Sequence, residues 1–417
     1  MVNVSRPSIR RRDMDAVLSC MVTDSLGPGS LSDQLAGAVG DYLGLAGGIA
    51  LRERARAFAI AVDLLGLDPG SRVLLDPLVP HVYHAVLHEL GLVPVYVDVS
   101  DDSFCIDAER VDAYIETTRG TEAEPAAIVT HTTLGFVPAM EAIAALGVPV
   151  IEDVSEGIGA NTGEERVGRF GRFVIVGMEP EDVITAGGGT LLLAASKSDR
   201  AALRRRAEEL SADALLPDMN AALGLTQIRE IERFVARRAE IAGVYARALM
   251  RGRHRAPVQP GDAQNVYLSF PVLVEGSVSD VVTYAKKKGV EARQAFSAVM
   301  LARYGLTERQ IADRGEIERA EGDAAAGPTA AEREAGATSG ATGPGPATVT
   351  AGACAASGPD PSAPAAASIF ATEPPTVVEA GFPVARSLLL RCLVFPLYPS
   401  LSAKEIATIE RVLTTLP

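Results

Sequence analysis

The sequence predicts an α/β fold with a mainly parallel central sheet, followed by a smaller C-terminal α+β domain. The main observation is that, from Arg72 to Ala194, short apolar or β-branched segments alternate with segments of helical length. Several short segments are apolar at consecutive positions, which is typical of strands covered by helices on both faces. Six strands are predicted: Val73–Asp76, Pro94–Val99, Ala127–His131, Pro149–Asp153, Phe173–Met178 and Thr190–Ala194.

Helices are predicted around these strands, and three of them are followed directly by a glycine. Glycine adopts the left-handed conformation that often ends a helix, so each one supports the helix before it. The three helices and their glycines are Arg52–Leu65 with Gly66, Val82–Leu90 with Gly91, and Ala139–Leu146 with Gly147. A long amphipathic helix is predicted over Met219–Leu249, where apolar residues recur at helical spacing between Arg and Glu residues.

The pattern changes near residue 252, and we therefore predict a large domain over residues 1–251 and a small domain over 252–417. The small domain is expected to begin with a strand, Val266–Val274, and a helix, Val281–Lys288. Ordered structure is expected again at Cys392–Tyr398 and in the helix pattern Ala403–Leu413. Residues 323–368 consist mostly of Ala, Gly, Pro, Ser and Thr. Such a composition cannot offset the entropy of ordering, which predicts a disordered insertion.

Composition limits the classes of function. The chain has 417 residues and a formal net charge of −14, which repels nucleic-acid phosphates, so no nucleic-acid partner is expected. We expect a cytoplasmic protein without membrane association, because the N-terminus lacks an apolar signal segment and no segment reaches the ~18 consecutive apolar residues of a membrane span. Four cysteines without CxxC spacing predict no metal site: Cys20, Cys105, Cys354 and Cys392.

The order of several short motifs resembles a known family. Each motif is weak alone, but their succession is specific: Arg6–Ile9, Leu26–Gly29, Ala46–Leu51, Pro94–Val99, Phe104–Asp107, Ile151–Glu156, Ile184–Gly189, Asn220–Gln227 and Phe395–Pro399. The chain resembles the DegT/StrS family of nucleotide-sugar aminotransferases, which depend on pyridoxal 5′-phosphate (PLP). The resemblance implies the type I PLP-transferase fold, a nucleotide sugar as ligand, and a homodimer or a heterodimer with an active relative.

The resemblance assigns roles to two aspartates. Asp153 matches the family's carboxylate that pairs with the pyridinium nitrogen and keeps the ring an electron sink. Asp182 stands where the family has the lysine that forms a Schiff base, and a carboxylate cannot form an imine. PLP or its amine form, pyridoxamine 5′-phosphate (PMP), would therefore bind without a covalent bond, if it binds at all.

Other expected cofactor contacts are also changed. Ala46, Gly48 and Gly177 match the small hydroxyl residues of the family's phosphate cradle, and we expect Gly47 and Gly48 to offer backbone N–H groups at a helix N-terminus. Glu156 replaces the family's partner of the ring oxygen, and its charge would repel that oxygen unless protonated. The remaining contact is His81, which matches an aromatic residue that stacks on the ring.

Three functional hypotheses follow from these residues. The first is a catalytically degenerate member of the family, a pseudoenzyme that binds or regulates. The second is a lysine-independent enzyme that uses PLP or PMP, resembling the sugar dehydratases, in which Asp182 moves protons after burial or Glu156 raises its pKa. The third is a still active sugar aminotransferase. Simultaneous loss of the lysine, the cradle hydroxyls and the ring-oxygen partner favours the first.

Overall fold

The structure, a computed structural model, describes residues 1–101, 103–303, 377–378 and 382–417, with backbone alone at 377–378. Its helices are α1 Arg11–Val22, α2 Ser30–Leu43, α3 Arg54–Leu65, α4 His81–Glu89, α5 Ala108–Thr118, α6 Met140–Ala145, α7 Lys197–Glu208, α8 Asp218–Ile228, α9 Ile231–Leu249, α10 Val278–Lys287, α11 Met300–Arg303, α12 Pro383–Arg391 and α13 Ala403–Thr414. Its strands are β1 Gly47–Leu51, β2 Arg72–Leu75, β3 Val93–Tyr96, β4 Pro125–His131, β5 Val150–Asp153, β6 Asn161–Thr162, β7 Glu165–Arg166, β8 Phe173–Gly177, β9 Thr190–Ala194, β10 Ala263–Gln264, β11 Phe270–Leu273, β12 Arg293–Gln294, β13 Val377–Val378 and β14 Cys392–Phe395.

The α/β prediction is confirmed. The main sheet has the order β1-β9-β8-β5-β4-β2-β3-β13, in which β1 and β9 pair antiparallel and the strands from β8 to β13 run parallel. All six predicted strands are present within a few residues of their expected bounds. The glycines that follow α3, α4 and α6 have positive φ angles, as their role in ending helices requires: Gly66, Gly91 and Gly147.

Helices cover both faces of this sheet, which explains why its strands are apolar at consecutive positions. Along β8, Phe173 and Ile175 pack in one core cluster with α3 and α4. Their neighbours Val174 and Val176 pack on the opposite face, in a cluster with α2 and α8. Alternate residues of a strand point to opposite faces, so each face of β8 contributes to a separate core.

Two local predictions are wrong. The long helix is divided into α8 and α9, and the break at Arg229–Glu230 lies where the Glu230 carboxylate binds Arg10 and Arg12 of the N-terminal segment. Gly47 and Gly48 do not lie at a helix N-terminus, since they belong to β1 and pair with β9. A Cβ on Gly48 would overlap the backbone of Leu192, so this glycine serves close strand pairing.

A second, three-stranded sheet has the order β11-β14-β12 and packs with α9, α10 and α13. The four segments predicted for the small domain correspond, in chain order, to β11, α10, β14 and α13. The boundary between residues 251 and 252 stays a prediction. The predicted insertion at residues 323–368 lies outside the described residues.

Among the described residues, none of the helices is long and apolar enough to cross a membrane. In the same part of the chain, no group of three His, Cys, Asp or Glu residues is placed to hold a metal ion. Three cysteines are buried free thiols: Cys20, Cys105 and Cys392.

Candidate functional site

The carboxyl ends of three neighbouring parallel strands define the candidate site. His131 ends β4, Asp153 ends β5 and Gly177 ends β8, and the strand register places His131 beside Asp153. Asp182 lies in the turn that follows β8, where its carboxylate accepts a hydrogen bond of 2.7 Å from the Glu179 N–H. Ligands of α/β proteins bind at such strand ends.

Asp153 is fully buried and surrounded by donors. Its Oδ1 accepts hydrogen bonds from the N–H and the hydroxyl of Ser155, and its Oδ2 accepts one of 2.5 Å from the Tyr83 hydroxyl. Burial alone would raise the pKa of this carboxyl, but the positive charge of Arg54 and the hydrogen bonds from Ser155 and Tyr83 bring it below its ordinary value. Asp153 is therefore a carboxylate at neutral pH.

Arg54 is the central cation of the site. It is the first residue of α3, and its guanidinium lies between two carboxylates, with Nη1 3.8 Å from Asp153 Oδ2 and Nη2 3.6 Å from Asp182 Oδ2. Its side chain is 20% exposed. Burial lowers the pKa of Arg54, but Asp153 and Asp182 more than compensate, so its pKa lies above its ordinary value. This side chain carries a permanent positive charge into the site.

Asp182 has an unusual protonation equilibrium. Burial raises its pKa to about 7, against the opposing charge of Arg54, and the negative charges of Glu156 and Asp153 act in the same direction as burial. The second hypothesis of the sequence analysis requires a rise in this pKa, from burial or from the charge of Glu156. Close to neutral pH, this carboxyl therefore exists in both protonated and ionised forms.

Other predicted site residues, Glu156 and His81, bind backbone groups. The Glu156 carboxylate accepts a hydrogen bond of 2.6 Å from the Leu134 N–H. His81 begins α4, and its Nδ1 lies 2.9 Å from the Ala298 carbonyl oxygen. The predicted anion cradle at Gly47 and Gly48 is wrong, because the helix N-terminus beside Asp153 and Asp182 is that of α3.

Sequence reasoning missed Arg54 and Tyr83. One signal was available for Arg54: it stands in the first turn of a predicted helix, where the helix dipole disfavours a cation, so a nearby carboxylate was to be expected. Tyr83 carried no such signal, since a tyrosine within an apolar helix face is indistinguishable from a core residue. Its contact with Asp153 spans 70 residues of sequence.

Comparison with solved structures defines the class of fold. A DegT DnrJ EryC1 StrS aminotransferase from Brucella abortus matches with a TM-score of 0.74 at 19% identity, covering 96% of this chain and 94% of that chain. A variant of GDP-4-keto-6-deoxymannose-3-dehydratase with bound GDP-perosamine matches with a TM-score of 0.72 at 14% identity, covering 99% and 100%. The chain has the type I PLP-transferase fold.

Sequence comparison then identifies the family. The pattern of the DegT/DnrJ/EryC1/StrS aminotransferase family matches residues 7–322, and the chain belongs to this family. A GDP-perosamine synthase from Caulobacter vibrioides is 24% identical over 315 residues, covering 71% of this chain and 84% of the relative. The family is PLP-dependent, and the solved structures that the chain resembles include a PMP form and a PLP form of one sugar aminotransferase from Streptococcus pneumoniae.

The residues at this sheet end do not fit that cofactor. The chain has five lysines, all exposed and all on α7, on α13 or at the end of α10: Lys197, Lys286, Lys287, Lys288 and Lys404. Donors of the protein already bind both oxygens of Asp153, the residue that the resemblance assigns to the ring nitrogen.

Proposed function

We propose that this chain is a catalytically degenerate member of its family that acts as a binding or regulatory protein in nucleotide-sugar or polysaccharide biosynthesis. One observation carries the proposal: a carboxylate, Asp182, stands where the resemblance places the amine that forms the Schiff base. Carbonyl chemistry of that kind requires a nucleophilic amine, which Asp182 lacks. The nucleotide-sugar context is drawn from relatives such as the GDP-perosamine synthase.

The surroundings of Asp182 support a non-catalytic role. The adjacent cation is a guanidinium, which stays protonated and cannot replace a lysine as nucleophile or as base. This cation lies within 4 Å of both carboxylates, so its charge is already paired within the chain.

We further propose a cytoplasmic homodimer or a heterodimer with an active relative. The family places its active sites at a dimer interface, and a large interface persists when catalysis is lost. A degenerate subunit that pairs with an active one is then able to regulate it through the shared interface.

The test of the proposal is a search for an amine that reacts with PLP. Purified protein is incubated with PLP, reduced with borohydride and examined by intact mass, with the GDP-perosamine synthase as positive control. We expect a pyridoxyl adduct on the control and none on this chain beyond that of a denatured sample. A stoichiometric adduct on the folded chain would show a working amine and refute the proposal, in agreement with a still active aminotransferase.

A second candidate is a lysine-independent sugar-modifying enzyme. The observation that favours it is the pKa of Asp182, about 7, because a carboxyl with such a pKa exchanges protons efficiently at neutral pH. Turnover of a 4-keto-6-deoxy nucleotide sugar with added PMP, lost in Asp182→Asn, would establish this function. An absence of turnover at every PMP concentration supports the degenerate member.

A further inference from the structure

We propose that Arg54 and Tyr83 occupy the position that the family keeps for the cofactor ring. Their side chains thereby exclude PLP and PMP from the candidate site. The inference rests on the proposed function and deepens it, because it attributes the loss of cofactor binding to these two side chains. Two residues contribute to it from two helices, α3 and α4, whose side chains meet at the ends of β5 and β8.

The first argument is the location of the guanidinium. In the family, the ring lies between the carboxylate at position 153 and the amine at position 182. Here the Arg54 guanidinium joins these two positions, at 3.8 Å from Asp153 and 3.6 Å from Asp182. Optimal contacts between nonbonded heavy atoms measure about 3.5–4.0 Å, so no further ring fits between them.

The second argument is the hydroxyl of Tyr83. It donates a hydrogen bond of 2.5 Å to Asp153 Oδ2, and the Tyr83 ring packs against Phe58 of α3, with centroids 4.2 Å apart. Tyr83 is completely buried. Any ring nitrogen that approached this oxygen would have to displace a buried, satisfied hydroxyl.

The third argument is that another departure from the family accommodates Arg54. The resemblance places a serine at position 177, but a Cβ there would lie 2.7 Å from Asp182 Oδ2, 2.9 Å from Ser155 Oγ and closer still to Arg54 Nη2. Glycine at this position leaves room for the guanidinium. Arg54, Gly177 and Asp182 therefore form one sterically and electrostatically matched set, in which the departures at positions 177 and 182 are not independent losses.

Charge explains why such a set is stable without a cofactor. A carboxylate buried as completely as Asp153 requires a compensating charge or several donors. Arg54 supplies that positive charge from within the chain, and the two carboxylates in turn offset the unfavourable position of a cation at the N-terminus of α3. The family's pocket has become a closed polar core.

The experiment restores the amine with and without the guanidinium. Four proteins are compared: wild type, Asp182→Lys, Asp182→Lys/Arg54→Ala, and the control Asp182→Lys/Arg56→Ala, which removes an exposed arginine of the same helix. Each is incubated with PLP and reduced, and the adduct is measured by intact mass. We expect at least a tenfold higher yield of adduct at limiting PLP in the Arg54→Ala double variant than in the other three.

Equal yields in Asp182→Lys and in the Arg54→Ala double variant would overturn the inference. The proposed function would survive that result, because it depends only on the wild type forming no adduct. A lysine at the buried position 182 carries a risk of misfolding, so a second measurement uses variants without it. PMP is titrated by calorimetry into Arg54→Ala, Arg56→Ala and wild type. We expect binding to Arg54→Ala alone, strengthened in Arg54→Ala/Tyr83→Phe, whereas no binding to a folded Arg54→Ala would contradict the inference.

Discussion

Replacing Asp182 with asparagine should make the unfolding free energy less dependent on pH. The carboxyl is almost fully buried, with 9% of its side chain exposed, and burial raises its pKa from 3.8 to about 7. Well below pH 3.8, the carboxyl is protonated in both the folded and the unfolded chain, and burial has no electrostatic cost. As the pH rises from 4 to 7, the unfolded chain loses the proton first, so the folded state becomes relatively less stable.

The size of this effect follows from the shift in pKa. A change of about three pKa units corresponds to about 4 kcal/mol over the whole interval, of which about 2–3 kcal/mol falls between pH 5 and pH 8. Asparagine has nearly the same shape, and its side-chain oxygen is able to accept the hydrogen bond that Asp182 takes from the Glu179 N–H. We therefore expect the unfolding free energy of Asp182→Asn, relative to that of wild type, to rise by about 2–3 kcal/mol from pH 5 to pH 8.

Urea unfolding measured in steps between pH 5 and pH 8 provides the assay. The difference between two proteins removes the contributions of other groups, such as Asp76, whose pKa burial also raises to about 7, and His84, whose pKa burial lowers to about 4. Glu181→Gln is the control, because this neighbouring carboxylate is exposed and binds Arg293. Parallel pH profiles for wild type and Asp182→Asn would refute the argument that Asp182 is a buried acid beside Arg54.

Three further predictions concern the fold and assembly. Gly48→Ala should destabilise the protein by about 3 kcal/mol or more, because its Cβ meets the backbone of β9, whereas Gly27→Ala, in open space, should have little effect on urea unfolding. Glu152→Ala should cost at least about 3 kcal/mol in the same assay, since the buried carboxylate accepts hydrogen bonds from the N–H groups of residues 168, 170 and 171. Light scattering at micromolar concentration should show a dimer, and a stable monomer that recovers no partner from cell extract would contradict the proposed assembly.

The sequence was sufficient for the features that depend on local chemistry. Strands covered on both faces need consecutive apolar residues, and helices that end in a left-handed residue favour glycine, so β2, β4, β5, β8 and β9 and the ends of α3, α4 and α6 were predictable. The replacement of an amine by a carboxyl at position 182 is equally a property of the sequence, given the resemblance that assigns the position. These conclusions required no knowledge of distant contacts.

The tertiary structure alone decided which residues fill the site. About a hundred residues separate Arg54 from Asp153, and about thirty separate Asp153 from Asp182. Only the packing of α3 against the sheet brings their charges together. Gly48 belongs to a strand rather than to a helix start because it pairs with Leu193, far away in sequence. Periodicity and propensity describe a residue's immediate neighbours, whereas burial, pairing and the pKa of Asp182 arise from groups that folding brings from distant parts of the chain.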